Sequence, residues 1–166
     1  KFGRRLISPK LARYREARRS LPMIAEKDRI LNALERNRVL VLTGDTGTGK
    51  TTQMPQFILD HYEASGNASA ARIVVTEPRR VATLSASQRV AEERGESLGE
   101  AVGYAIRLDR VRTRPRGSIN FFTIGYLLEK LKSPDFLSNI SHVIIDEAHE
   151  RSIETDLALS LIKDST

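Results

Sequence analysis

The apolar run Val39-Leu40-Val41-Leu42-Thr43 leads directly into Gly44-Asp45-Thr46-Gly47-Thr48-Gly49-Lys50-Thr51-Thr52, and residues with helical spacing follow. This order of buried strand, glycine-rich turn and helix constrains the chain more than any other stretch, because residues 44–51 fit the pattern G-x-x-x-x-G-K-T. A triphosphate needs several backbone N–H groups converging on one place. Gly44, Gly47 and Gly49 can adopt positive φ and leave the room for that approach. A helix starting near Lys50 adds its free N–H groups and its positive dipole end. The pattern therefore gives phosphate contact to residues 44–52, with the Lys50 ammonium on the β- and γ-phosphates and the Thr51 hydroxyl on Mg²⁺. An accidental glycine-rich turn would satisfy the four fixed positions in roughly one chain of this length in a few hundred.

The rest of the chain alternates in the same way. Residues 1–20 hold Lys1, Arg4, Arg5, Lys10, Arg13, Arg15, Arg18 and Arg19, and Leu11, Tyr14 and Leu21 predict one face of a basic helix begun after Pro9 and packed on the domain. Residues 23–36 predict one further helix, ended by Asn37 in the left-handed region. A strand is expected from Arg38 or Val39, and Pro55 falls about one turn into the next helix, where it removes a backbone donor. Residues 73–76 read as a second strand and residues 81–94 as a helix closed by Gly95. Residues 102–108 read as a third strand, 110–117 as a basic loop, 118–122 as a fourth strand and 142–145 as a fifth. His61 reads as a boundary residue. Strands alternating with helices imply an α/β fold with a mostly parallel, doubly wound sheet flanked by helices, its ligands at the carboxyl ends of the strands.

Composition narrows the partners. A chain of 166 residues, 40% of them hydrophobic, suits one α/β domain with its own core. It has no cysteine, which excludes disulfides and cysteine-ligated zinc and fits an intracellular protein, nuclear or cytoplasmic. No apolar run reaches the roughly 18 residues of a membrane span, so no membrane partner is expected. The net charge of +6 and the clustered arginines favour an anionic polymer, and only 5% aromatic content argues against contact by extensive base stacking.

The fifth strand ends in Asp146-Glu147-Ala148-His149. In a parallel sheet these carboxylates emerge at the same edge as the glycine-rich turn. Asp146 there can hold Mg²⁺ through its water shell. Glu147, pointing elsewhere, can orient or deprotonate an attacking water. Magnesium prefers oxygen, so a hydrogen-bonding role suits His149 better than a ligand role.

Four segments, residues 44–53, Thr76-Glu77-Pro78-Arg79-Arg80-Val81-Ala82, Thr123-Ile124-Gly125 and Asp146-Glu147-Ala148-His149-Glu150-Arg151, stand in the order and spacing of the first RecA-like domain of DEAH-box RNA helicases. The chain from about residue 21 resembles that domain, a P-loop NTPase fold, and residues 1–20 form a basic segment ahead of it. The resemblance implies ATP and Mg²⁺ as cofactors and RNA as partner. Lys50 and Glu147 then serve catalysis, and Thr51, Asp146 and Glu147 the metal. Arg89 stacks on the nucleotide base, which holds any base by its face. Arg79, Arg80, Thr123 and Gly125 grip the nucleic-acid backbone without reading sequence, and the basic residues 107–116 can add to that grip.

The chain departs from the family pattern at Asp45, usually Glu, at Ile124, usually Thr, and at Glu77, frequently Gln. It also ends before the Ser-Ala-Thr motif, and the second RecA-like and accessory domains of a full-length protein are not in it. Arginine fingers come from that second domain, so this chain alone is expected to bind nucleotide weakly and hydrolyse it slowly. Two alternatives belong to other classes: a catalytically silent helicase-like RNA-binding scaffold, and a DNA-directed P-loop ATPase or small kinase.

Overall fold

The computed structural model describes residues 9–133 and 135–164. Of the basic N-terminal residues, Lys1, Arg4 and Arg5 lie outside the described residues. The helices are α1 (Pro9–Arg19), α2 (Pro22–Ala25), α3 (Lys27–Arg36), α4 (Lys50–Ala64), α5 (Arg80–Arg94), α6 (Ile124–Leu131) and α7 (Ile153–Asp164). The strands are β1 (Arg72–Glu77), β2 (Val102–Ile106), β3 (Asp109–Val111), β4 (Ser118–Thr123) and β5 (His142–Ile145). They form one sheet in the order β3-β2-β4-β1-β5, with β2, β4, β1 and β5 parallel and β3 antiparallel at the edge.

Alternation along the strands divides the core into two layers, since successive side chains leave a strand on opposite faces. Ile73 and Val75 of β1 and Ile119 and Phe121 of β4 join Phe57, Leu59, Val90 and Ala91 on the face covered by α4 and α5. Val74 and Phe122, one residue out of phase, join Ile124, Leu127 and Ala158 beneath α6 and α7. Helices on both faces are the doubly wound arrangement that the alternation of elements predicts.

Helix α1 packs on α5, as its apolar face predicts. Leu11 fits so closely over Gly95 that a Cβ there would stand 2.8 Å from Leu11 Cδ2, and Gly95 also ends α5 at φ 72°. The polar side of α1 is anchored as well. Lys10 Nζ reaches Glu92 Oε1 at 2.8 Å, and the Tyr14 hydroxyl donates to Glu92 Oε2 at 2.5 Å. Lys10 first, with Tyr14 and Gln88, holds the Glu92 carboxyl down at about 2. Arg18 donates to Gln53 Oε1 at 2.6 Å and to Asp60 at 3.2 Å.

Four local expectations need correction. Residues 23–36 do not form one helix: the chain turns at Glu26, dividing it into α2 and α3. Asn37 is extended rather than left-handed (φ −133°, ψ 136°), and it closes α3 instead by donating its side-chain amide to the Ala33 carbonyl at 2.9 Å. Residues 39–43 form no strand. Leu40 and Leu42 pack on the core while Val39 and Val41 are 79% and 81% exposed, so the apolar alternation appears in burial but finds no neighbouring ladder among the described residues. The third strand stops at Ile106, where the chain turns through Arg107 and Leu108 (φ 69°), and the start of the expected basic loop returns as β3. Pro55 is tolerated inside an unbroken α4.

Candidate nucleotide site and nucleic-acid edge

The glycine-rich turn connects residues 39–43 to the N-terminus of α4. Gly47 and Gly49 have φ of 81° and 97°, where only glycine is unstrained. Gly49 is tight as well: a Cβ would lie 3.0 Å from Leu21 and 3.1 Å from Gln53. Gly44 differs from expectation. It is outside the positive-φ region, and a Cβ there would meet only ordinary contacts at 3.7 and 3.8 Å. The fold therefore does not require glycine at 44, and ligand approach is the remaining physical reason for it. The Lys50 ammonium donates to the carbonyls of Gly44 (2.5 Å) and Asp45 (2.8 Å), while the Thr48 hydroxyl donates to the Asp45 carbonyl at 2.9 Å. A cleft of about 350 Å³ opens over the turn, bordered by Thr46, Lys50, Thr51, Thr52, Arg89 and Glu147.

The acidic motif reaches the same cleft from the sheet. Asp146 follows β5 and extends its pairing, with its N–H on the Thr76 carbonyl at 3.1 Å. The Thr51 hydroxyl donates to Asp146 Oδ2, and the Glu147 N–H donates to Asp146 Oδ1 at 2.8 Å. Glu147 itself is left-handed (φ 51°), as is Arg151 at the far end of the 3₁₀ turn Ala148–Glu150. A non-glycine residue in this region costs energy and persists where its surroundings hold it. His149 Nδ1 lies 3.3 Å from Glu147 Oε2, a contact to the acidic motif rather than to a metal.

These groups suit a magnesium nucleotide. A hydroxyl and a carboxylate in contact beside a turn of backbone donors supply the hard oxygen ligands that Mg²⁺ takes when phosphates and water complete its shell. Among the described residues no group of three or more His, Cys, Asp or Glu side chains could cage a metal ion.

Sequence reasoning missed three groups. Glu93 is almost fully buried, and it accepts from Gln53 Nε2 (2.9 Å), Gln56 Nε2 (2.8 Å) and Arg89 Nε (2.6 Å), so it ties α4 to α5 and aims Arg89. Arg89 and Glu93 stand four apart on a predicted helix, the one local signal available for this pair. Tyr14 is the second: its ring centroid lies 4.5 Å from Arg89 Cζ.

The third is Glu77, at the carboxyl end of β1. It is buried with one oxygen unpartnered. Burial first, then the neighbouring Asp146, pushes its carboxyl up to about 8. The folded protein thus keeps a proton that the unfolded chain releases near 4.5. Stability contributed by this group is lost as pH rises from about 4.5 to 8 and is level above that. Glu77→Gln is expected to abolish this slope. In chelator, its unfolding midpoint should match the parent near pH 5 and exceed it at pH 8.5, by the equivalent of a few kcal/mol. Parallel curves across that range would contradict the assignment.

The four expected backbone-gripping residues share the edge that carries Asp146. Glu77 of β1 pairs in register with Thr123 of β4, and Thr76 with Ile145 of β5, so the three strands end side by side. Thr123 occupies the N-cap of α6 without capping it, and Gly125 is exposed with open space where a Cβ would be. Arg79 and Arg80 are exposed at the start of α5, and Arg79 reaches Glu150 at 3.4 Å, joining the two motifs. A second cleft of about 470 Å³, bordered by Arg72, Arg110, Arg112, Arg114 and Lys130 with no carboxylate on its walls, lies on the β3 side of the sheet and reaches the amino ends of β1 and β4 at Arg72 and Ser118.

With a glycine-rich turn, an acidic strand tip and a basic edge in one place, comparison with known proteins is decisive. The DEAD/DEAH box helicase family model matches residues 25–159. The chain belongs to the DEAD/DEAH box helicase family. Its sheet and flanking helices are accordingly the RecA-like P-loop fold. It is 45% identical over 143 residues to the ATP-dependent RNA helicase DHX30 of Gallus gallus, a match covering 86% of this chain and 12% of that one. It is 44% identical over 149 residues to the ATP-dependent DNA/RNA helicase DHX36 of Homo sapiens, covering 89% and 15%. The Mus musculus DHX36 is 42% identical over 163 residues, covering 97% and 16%. This DEAD/DEAH box chain thus spans about one seventh of the length of these relatives, and α1, with Tyr14, precedes the residues that the family model matches.

Proposed function

We propose that this chain is the nucleotide-binding part of an ATP-dependent RNA helicase. The observation that carries the reading is the contact between the Thr51 hydroxyl, at the start of the P-loop helix, and the Asp146 carboxylate, at the tip of β5. A phosphate-binding turn and a metal-holding acid are useful to a nucleotide only when they meet, and here they do.

In this reading residues 44–52 bind the triphosphate, with backbone N–H groups and the Lys50 ammonium toward the β- and γ-phosphates. Lys50 exchanges its two carbonyl partners for phosphate oxygens. Thr51 and Asp146 hold Mg²⁺, whose charge offsets that on the phosphates. Glu147, which borders the same cleft, orients the water and takes its proton. Arg89 presents a guanidinium plane to the base. Arg79, Arg80, Thr123 and Gly125 contact the nucleic-acid backbone from the adjoining edge. That edge is linked to the acidic motif of the ATP site through Arg79 and Glu150.

The reading implies that the remainder of a full-length protein, with its second RecA-like domain, closes on this site and moves RNA as ATP is turned over. The decisive experiment is ATP hydrolysis by the full-length protein with and without single-stranded RNA, beside Lys50→Ala. RNA should stimulate the parent, and Lys50→Ala should remove that activity by about 100-fold or more. Equal activity without RNA, or stimulation by DNA alone, would favour the DNA-directed alternative, and no turnover in the parent would favour the silent scaffold.

A further inference from the structure

We propose that Tyr14 is a positioning residue of the nucleotide cleft: its ring backs the Arg89 guanidinium and fixes the plane on which the base stacks. The inference rests on the reading of Arg89 as the base-stacking residue and adds to it a part of the molecule outside residues 25–159.

A guanidinium has two faces and a rim of five N–H donors. In Arg89, Nε donates to Glu93 at 2.6 Å. The guanidinium lies over the Tyr14 ring, with Cζ 4.5 Å from the centroid, inside the range in which a cation is attracted to an aromatic face. Arg89 borders the nucleotide cleft and Tyr14 does not, so the ring stands behind the guanidinium as seen from the cleft. What remains toward the cleft is a flat cation already held in place. An unrestrained arginine carries about 2 kcal/mol of rotamer entropy, and fixing it beforehand converts into affinity for whatever stacks on it.

Tyr14 is itself fixed in a closed circuit of contacts. Its hydroxyl donates to Glu92, to which Lys10 of the same helix also pairs. At the other end of α1, Arg18 donates to Gln53, and Gln53 donates to Glu93, the residue that aims Arg89. Leu21, just after α1, lies against Gly49 of the phosphate turn. Helix α1 is thus built into both the base end and the phosphate end of the cleft. A basic helix that merely covered α5 would need neither the ring over Arg89 nor the link to Gln53.

The test uses the full-length protein and two ligands with Mg²⁺, ATP and inorganic tripolyphosphate, which share the phosphates but not the base. Tyr14→Leu keeps an apolar side chain of similar bulk on α1 and removes the aromatic face. It should weaken ATP binding about 3- to 10-fold and leave tripolyphosphate within about twofold. Tyr14→Phe keeps the face and should retain ATP affinity. Equal loss for both ligands in Tyr14→Leu would mean a disturbed fold rather than a positioned arginine and would overturn the inference, as would unchanged ATP affinity in that variant or a loss in Tyr14→Phe matching it. Arg89→Ala separates the layers of the argument. If it weakens ATP selectively while Tyr14→Leu does not, only the role of Tyr14 fails; if it has no effect on ATP, the base-stacking reading fails with it.

Discussion

Glu147→Gln in the full-length protein is expected to lower RNA-stimulated ATP hydrolysis by about 100- to 10,000-fold while leaving ATP affinity within about threefold. The expectation follows from how the two adjacent carboxylates are placed. Asp146 is committed: one oxygen accepts from Thr51 and the other from the Glu147 N–H. Glu147 has a left-handed backbone (φ 51°), borders the cleft and, among the ion pairs of the described residues, touches His149 at 3.3 Å. Glutamine preserves that shape and can still orient a water, but it cannot take the proton. Single-turnover hydrolysis, with nucleotide binding measured separately, gives both numbers. A comparable loss of affinity would instead make Glu147 a binding group.

Glu93→Ala is expected to destabilise the fold by about 3–5 kcal/mol, because it strips one buried carboxylate from three donors at once. Gln53 and Gln56 are fully buried, so neither amide can turn to water. For a domain of this size such a loss lowers the thermal midpoint by roughly 10 °C. Glu93→Gln keeps an acceptor oxygen and the side-chain volume while losing the charge that pairs Arg89, so its midpoint should fall between those of Glu93→Ala and the parent. A Glu93→Ala midpoint within about 2 °C of the parent would show that the carboxylate does not hold α4 to α5.

The parts of the molecule that were legible in the sequence are those whose chemistry is local. Gly47, Gly49, Lys50 and Thr51 must follow one another to make a phosphate turn, and Asp146 must follow an apolar strand to reach it. Helices α1, α4 and α5 and strands β1, β2, β4 and β5 stand where periodicity puts them. Pairing is not local, and that is where expectation and structure part. Residues 39–43 have the alternation of a strand, yet hydrogen bonding requires a neighbour that the pattern does not contain. Strand β3 was hidden because Asp109-Arg110-Val111 has no apolar run, and because its turn places Leu108, not glycine or asparagine, in the left-handed region. The supports of the site were illegible for the same reason. Tyr14 and Arg89 are 75 positions apart in the sequence, and nothing in either neighbourhood marks the other. Glu77 looked like a mild exchange for glutamine, and only the packed structure shows an acid held at about 8 beneath Asp146.

The account depends on Thr51 and Asp146 acting on one bound magnesium nucleotide. A double-mutant cycle in the full-length protein measures this directly, with Thr51→Ala, Asp146→Asn and the pair compared for Mg·ATP affinity. The two losses should be strongly non-additive, with a coupling of about 1 kcal/mol or more, the pair being little worse than the more damaging single variant. Losses that simply add would mean that the P-loop helix and the tip of β5 serve separate purposes, and the account of this chain as one ATP site would be contradicted.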